Sequence, residues 1–221
     1  ALPLAKARNR AASLASGDNL LFLDVDCIPS AQLCDTIASR LKQCDVVVCP
    51  KVLYLGPGHA RSGWREADLQ ALGLAHPVRV FPNSGMRVET NPGLFWSLAF
   101  AIRRCTFDKL GGFDEGYVGY GAEDTDFGFS VRRSGLELIF DGDATAYHQH
   151  HEGFDPPLQH FEAVVANARR FHTKWGLWPM EGWLKDMREM GLIEWGTNLS
   201  IVRRPTAQEI AAARKSDARA F

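Results

Sequence analysis

Residues Asn19–Asp26, Asn-Leu-Leu-Phe-Leu-Asp-Val-Asp, decide the fold. Their apolar part, Asn19–Asp24, follows Gly17-Asp18 and runs toward Pro29-Ser30. A short continuous apolar run between turn residues predicts a strand buried on both faces, the habit of a parallel sheet. Upstream, Leu4–Ala15 is rich in alanine, sets Leu4, Ala7, Ala11 and Leu14 at helical spacing, and meets Gly17 as a stop. Downstream, Ser30 can cap a helix running to about Gln43, with Leu33, Ile37 and Leu41 on one face. Asp45–Pro50, Asp-Val-Val-Val-Cys-Pro, predicts the next buried strand. Helix alternating with continuous apolar strand is the mark of an α/β domain with a mostly parallel sheet flanked by helices.

Further along, Leu55–Gly63 and His76–Gly93 collect Gly and Pro and predict long loops around a short helix near Trp64–Leu72. Leu94–Arg103 predicts a strand, and Glu123–Ser134 a helix stopped by Gly135. Leu136–Phe140 and Ala144–His150 predict two more strands. Past Pro157 the pattern turns helical: Leu158–Trp175, Glu181–Met190, and a third helix opened by the capping box Thr206-Ala-Gln-Glu209. The expected organisation is therefore an α/β domain over 1–155 and a helical appendage over 156–221. Trp175, Trp178, Trp183 and Trp195 can pack that appendage onto the core or form a platform for a ligand; their places near helix ends favour packing.

The composition narrows the function classes. The chain has 221 residues with 46% hydrophobic and 23% charged side chains, which argues against wholesale disorder. Lys plus Arg total 25 against 26 Asp plus Glu, a formal charge of -1, so no basic surplus points to nucleic acid or an anionic membrane. No apolar stretch approaches the ~20 residues of a membrane-spanning helix. Five cysteines, Cys27, Cys34, Cys44, Cys49 and Cys105, include no C-x-x-C pair, which disfavours zinc ribbons and a disulfide framework and suggests a reducing, cytoplasmic setting. The sequence opens on Ala1 inside a predicted helix, which suggests that a preceding piece is missing.

Three clusters carry chemistry. Asp24 and Asp26 fall at the carboxyl edge of the first strand, where open α/β sheets bind ligands, and alternation puts them on one side. Two carboxylates so close repel unless a cation or donors separate them, so the pair reads as an Mg2+ or Mn2+ site or as a solvated strand end. Gly121-Ala-Glu-Asp-Thr-Asp126 puts three carboxylates at a helix start, after a loop holding Tyr117 and Tyr120. Capping and the helix dipole account for part of this, and clustered carboxylates also raise one another's pKa toward that of a working general base. In Tyr147-His-Gln-His-His151, alternation sets His148 and His150 on one strand face and His151 on the other, making the first two the candidate metal ligands.

The order Ala7-Arg-Asn-Arg10, Leu21-Phe-Leu-Asp-Val-Asp26, Gly111-Gly-Phe-Asp-Glu115, Gly121–Asp126 and His148-Gln-His-His151 resembles family 2 glycosyltransferases of the GT-A fold. The stretch from about Asn91 to Arg133 is similar to the carboxyl-terminal region of galactosyltransferases. The resemblance implies a GT-A-like, Rossmann-like domain that lacks the usual first strand-helix-strand unit. It implies an inverting, metal-dependent transfer of a hexose from a nucleotide-diphosphate sugar, UDP-galactose or a UDP-N-acetylhexosamine, to a hydroxyl of a glycan or other acceptor. Residue by residue, it implies Asp124 as general base and Glu123 as the neighbour that orients the acceptor. It implies Asp26 as a metal ligand completed by His148 or, second, His150. Arg8, Asn9, Asp24, Gly112 and Tyr120 fall in the donor-binding set.

Two other readings compete. Leu20–Ile28 also resembles the nucleophile motif of haloacid-dehalogenase-type phosphatases, with Asp141-Gly-Asp143 imitating a second acidic motif, but that leaves Gly121–Asp126 unexplained. A degenerate transferase that binds nucleotide or glycan without catalysis is the third.

Overall fold

The computed structural model describes residues 3–215. Helix α1 (Leu4–Leu14) leads into β1 (Asn19–Leu23), β2 (Cys27–Pro29), α2 (Leu33–Gln43) and β3 (Val47–Tyr54). Then come α3 (Glu66–Leu72), β4 (Leu74–Ala75), β5 (Met86–Glu89), β6 (Ala99–Arg103), α4 (Arg104–Leu110) and α5 (Glu123–Arg133). Strand β7 (Leu138–His148) is followed by β8 (Gly153–Phe154), α6 (Phe161–Trp175) and α7 (Glu181–Glu189). The described chain ends with β9 (Ile193–Trp195), β10 (Leu199–Ile201), α8 (Ala207–Ala212) and β11 (Arg214–Lys215).

The main sheet runs β1-β6-β3-β7-β2, with β4 beside β3 and β5 beside β7. The expected α/β architecture of a sheet flanked by helices is present. Its strand sense is mixed in place of mostly parallel: β3 and β7 run parallel, while β1·β6, β3·β6, β2·β7, β5·β7 and β3·β4 are antiparallel. Continuous apolar strands report burial on both faces, and strand direction does not enter that signal. One face carries Phe100, Ile102 and Phe140 against Ala5 and Ala12 of α1 and Phe127 and Val131 of α5. The other carries Val48, Ala101 and Ala146 against Leu33, Ile37 and Leu41 of α2.

Several boundaries differ from the sequence reading. Asp141-Gly-Asp143 does not divide two strands; β7 passes through it with a register shift opposite Pro50/Lys51. Arg40 of α2 holds the bulge from outside, Nε donating to Asp141 at 2.7 Å and Nη2 to Asp143 at 2.6 Å. A Cβ on Gly142 would stand 2.2 Å from the Pro82 carbonyl oxygen, so this close crossing admits only glycine. Strand β5 forms inside the expected loop. Ser30 does not cap α2 with its side chain; the N-cap is Gln32.

Residues beyond Leu158 build their own core from Leu158, Phe161, Val164, Leu184, Met187, Leu192, Ile193 and Leu199. The capping box at Thr206 and Glu209 is formed, and β9 and β10 add a hairpin to the helices. The tryptophans pack, as their positions suggested. Trp175 Nε1 donates to Asp126 at 2.7 Å, Trp178 Nε1 to the Gly196 carbonyl at 3.0 Å, and Trp183 Nε1 to Asp155 at 3.1 Å. Among the described residues no helix is long and apolar enough to cross a membrane, and all five cysteines are free.

Candidate active site

Sheet register assembles the site. Pairing of β2 with β7 sets Cys27 opposite His148, so the residues before β2 and after β7 lie side by side. The Gln149 N–H donates to the Asp26 carbonyl at 2.8 Å and closes this junction. Asp24 and Asp26 lie in a turn, closed by Cys27 N–H to Asp24 O at 2.9 Å, and not on the strand whose alternation was expected to align them. Val25 at the turn's tip is fully exposed.

Asp26 Oδ2 stands 3.6 Å from His148 Nε2 and 3.5 Å from His151 Nε2. One ligand atom from each of the three lies within 4.8 Å of the others. His151 was missed because strand alternation was carried past His148, where β7 ends; the following turn brings the residue three positions on back toward the same point. His150 is outside this cluster, its Nε2 buried without a hydrogen-bond partner. Asp26 Oδ1 is likewise buried and unpartnered. Burial depresses the His148 pKa, opposed by the Asp26 charge, which keeps a lone pair on the ring. One carboxylate and two imidazoles, with an orphaned carboxylate oxygen beside them, fit a divalent transition ion such as Mn2+.

Arg8 of α1 joins the Asp24–Asp26 turn, through Asp24, to the first turn of α5. Its Nη2 donates to Asp24 Oδ1 at 3.3 Å and its Nη1 to Glu123 Oε1 at 3.2 Å. Burial raises the Asp24 pKa, with Arg8 pulling the other way. Glu123 is buried, and desolvation together with the Asp124 charge pushes it up to about 7. Desolvation also raises Asp124, whose Oδ1 accepts the Thr125 N–H at 2.7 Å. The residue before this pair, Ala122, is buried with φ 70°, a left-handed conformation costing an L-residue about 1–2 kcal/mol. Asn167 of α6 holds it there, Nδ2 donating to the carbonyls of Val118 (3.2 Å), Tyr120 (3.2 Å) and Gly121 (2.9 Å).

The third carboxylate of the segment has another task. Asp126 is buried and accepts from Tyr117 Oη (3.1 Å), Trp175 Nε1 (2.7 Å) and Lys174 Nζ (2.8 Å), docking α6 on α5. Asn9 bonds the 111–115 loop, Nδ2 donating to the Phe113 carbonyl at 2.9 Å and Oδ1 accepting the Phe113 N–H at 2.9 Å. Gly112, at φ 68°, leaves the room for Asn9: a Cβ would lie 2.6 Å from its Oδ1. The Tyr120 ring stacks on His160 with centroids 4.8 Å apart and lies 6.0 Å from Trp183. Burial raises the Tyr120 pKa, and the charges of Asp124, Glu123 and Asp24 add to it, so this ring borders both clusters. Asp141 and Asp143, offered by the phosphatase reading, are tied to Arg40.

A sequence profile described as "Glycosyl transferase family 2" matches residues 3–110, and one described as "N-terminal domain of galactosyltransferase" matches residues 76–152. No curated protein sequence matches the chain. Among solved structures, GalNAc-T7 with UDP, GalNAc and Mn2+ aligns over 67% of this chain and 30% of its own, at 18% identity and a TM-score of 0.49. Residues 1–349 of TarS from S. aureus align over 76% and 44%, at 16% identity and 0.46. The catalytic domain of Drosophila β1,4-galactosyltransferase 7 with xylobiose aligns over 66% and 51%, at 20% identity and 0.37. The chain thus spans about half or less of each of these structures. The resemblance to family 2 glycosyltransferases, with a galactosyltransferase-like second part, is the one its motifs carry.

Proposed function

We propose that this chain, which bears the family 2 glycosyltransferase and galactosyltransferase patterns over residues 3–152, is an inverting, metal-dependent glycosyltransferase acting on a UDP-hexose. The observation that carries the reading is the Arg8 bridge from Asp24 to Glu123, which couples the D-x-D turn to the Glu123-Asp124 pair. Asp26, His148 and His151 would hold Mn2+, which supplies compensation for charge on the departing diphosphate. Asp24 faces the donor's ribose or sugar, and Arg8 fixes its orientation.

Asp124 takes the proton from the acceptor hydroxyl, which attacks the anomeric carbon opposite the leaving group. Its desolvated setting, raising its pKa, suits a base that must accept a proton near neutrality. Glu123, tied to Arg8, orients that hydroxyl. A single displacement of this kind inverts the anomeric centre. The reading extends to a catalytic domain over 1–155 and, for the acceptor, to a glycan or other hydroxyl compound.

Hydrolysis of UDP-galactose and UDP-N-acetylhexosamines with Mn2+ tests it, because transferases leak sugar to water. The wild type is expected to release UDP, and Asp124→Asn to lose ~10²–10⁴-fold in turnover while keeping its nucleotide affinity. Near-normal turnover in that variant removes Asp124 from the role. Nucleotide binding without any hydrolysis favours the degenerate binding module.

A further inference from the structure

Arg79, in the strap between β4 and β5, is 1% exposed while its neighbours Val78 and Val80 are 57% and 66% exposed, the reverse of what solvation favours. The strap is locked onto β7: the Phe81 ring stacks on Phe140 at 4.4 Å, and the Gly142 N–H donates to the Gly85 carbonyl at 2.9 Å. The buried cation therefore works inward. Its guanidinium lies over the rings of Phe140 (5.0 Å), Trp96 (5.1 Å) and Phe81 (5.2 Å). It also hydrogen-bonds the Tyr54 hydroxyl and the Cys49 sulfur. Arginine keeps its proton and only donates, so the phenol oxygen accepts from it. Burial pushes the Tyr54 pKa up to about 12, which keeps this hydroxyl neutral.

Tyr54 carries that anchor to the proposed metal centre. It ends β3 in parallel register with His148 at the end of β7, and the Leu55 N–H donates to the His148 carbonyl at 2.9 Å. The two main chains are thus held side by side, and packing is left to set the angle of the imidazole. The rings of Tyr54 and His151 each stand 5.1 Å from the His148 ring, at 43° and 62° to its plane. His148 Nε2 stands 3.6 Å from Asp26 Oδ2 in this arrangement. On the far side of Tyr54, His76 lies 6.0 Å from its ring and meets Trp96 edge-on at 4.6 Å, which joins the Arg79 cage to the same packed array. Apolar residues of similar volume would fill the Arg79 site at least as stably as a buried cation. What they could not do is hold the Tyr54 hydroxyl.

We propose that Arg79 and Tyr54 are positioning residues for His148: Arg79 anchors the Tyr54 phenol, and the Tyr54 ring fixes the angle at which the imidazole meets Asp26. The proposal rests on the reading of Asp26, His148 and His151 as a divalent-ion site. Groups that orient a metal-binding histidine govern affinity without touching the ion, and their loss typically weakens binding about 10–100-fold.

Calorimetric titration of Mn2+ into the whole chain tests this on the wild type, Tyr54→Phe, Tyr54→Leu and Arg79→Lys. Tyr54→Phe keeps the ring and removes its anchor, and should weaken Mn2+ about tenfold; Tyr54→Leu removes the ring as well and should approach a hundredfold loss. Arg79→Lys keeps the charge without the planar fork and should resemble Tyr54→Phe. Because the two residues act in series, combining Tyr54→Phe with Arg79→Lys should cost no more than the worse single change. Phe81→Leu is the control: it loosens the same cage away from Tyr54, so it should lower the metal-free melting temperature and leave Mn2+ affinity unchanged. The visible absorption of bound Co2+, which reports ligand geometry, should shift in Tyr54→Phe and not in Phe81→Leu. Wild-type Mn2+ affinity in Tyr54→Phe, or an equal loss of affinity in Phe81→Leu, overturns the proposal; if Arg79→Lys does not fold, Tyr54→Phe decides alone. A wild type that binds no Mn2+ overturns the metal-site reading, and this proposal with it.

Discussion

Asp124 and Asp126 stand two residues apart on the first turn of α5 and live in opposite circumstances. Asp126 is saturated, with a phenol, an indole and an ammonium around its two oxygens. Asp124 takes one short bond from the adjacent Thr125 N–H, and burial raises its pKa. The same contrast separates Asp141, enclosed by Arg40, from Asp26, whose Oδ1 is orphaned beside two imidazoles. Carboxylates that hold the fold are fully served; Asp26 and Asp124, which the proposed chemistry uses, are left short of partners. An unserved buried carboxylate costs stability, and its retention there is the physical mark of a working site.

The contrast can be broken by exchange of roles. Asp124→Asn should abolish most turnover and, by removing a desolvated carboxylate, leave the denaturant midpoint at or above that of the wild type. Asp126→Asn should do the reverse, lowering unfolding free energy by about 1–3 kcal/mol, because it replaces the buried carboxylate that accepts from Tyr117, Trp175 and Lys174 with an amide that cannot accept all three. Equal loss of turnover in both would erase the distinction.

A smaller effect sharpens it. Above the usual carboxylate range and up to about 7, the folded chain binds more protons at Glu123 and Asp124 than the unfolded chain does. Stability should therefore fall as pH rises through that window, while turnover, which needs the ionised base, rises. Asp124→Asn should flatten much of the stability slope. A turnover profile flat down to the ordinary carboxylate range would contradict the raised pKa.

Much of this was legible in the sequence. The apolar run of β1, the amphipathic α2 and the acidic start of α5 each follow from local pattern, and the motif order pointed to Asp26, His148, Glu123 and Asp124 together. What escaped depended on where strands end. His151 joins the cluster because β7 stops at His148, and Asp24 and Asp26 sit in a turn past the end of β1, where one meets Arg8 and the other the two histidines. Strand β7 crosses Asp141-Gly-Asp143, a stretch that locally spells a turn, because Arg40 from a distant helix neutralises both acids. Asp126 looked like part of the site, and its partners Lys174 and Trp175 lie nearly fifty residues away. Arg79 gave no local signal at all, since only tertiary packing turns it inward.

The central claim is that Asp26 and the two histidines form a cation site that receives a nucleotide diphosphate. Calorimetric titration of UDP into wild type and Asp26→Ala, each with Mn2+ and with chelator, tests it most directly. Binding by the wild type that requires Mn2+ and vanishes in Asp26→Ala is expected; the same affinity in both proteins, or in both media, would contradict it.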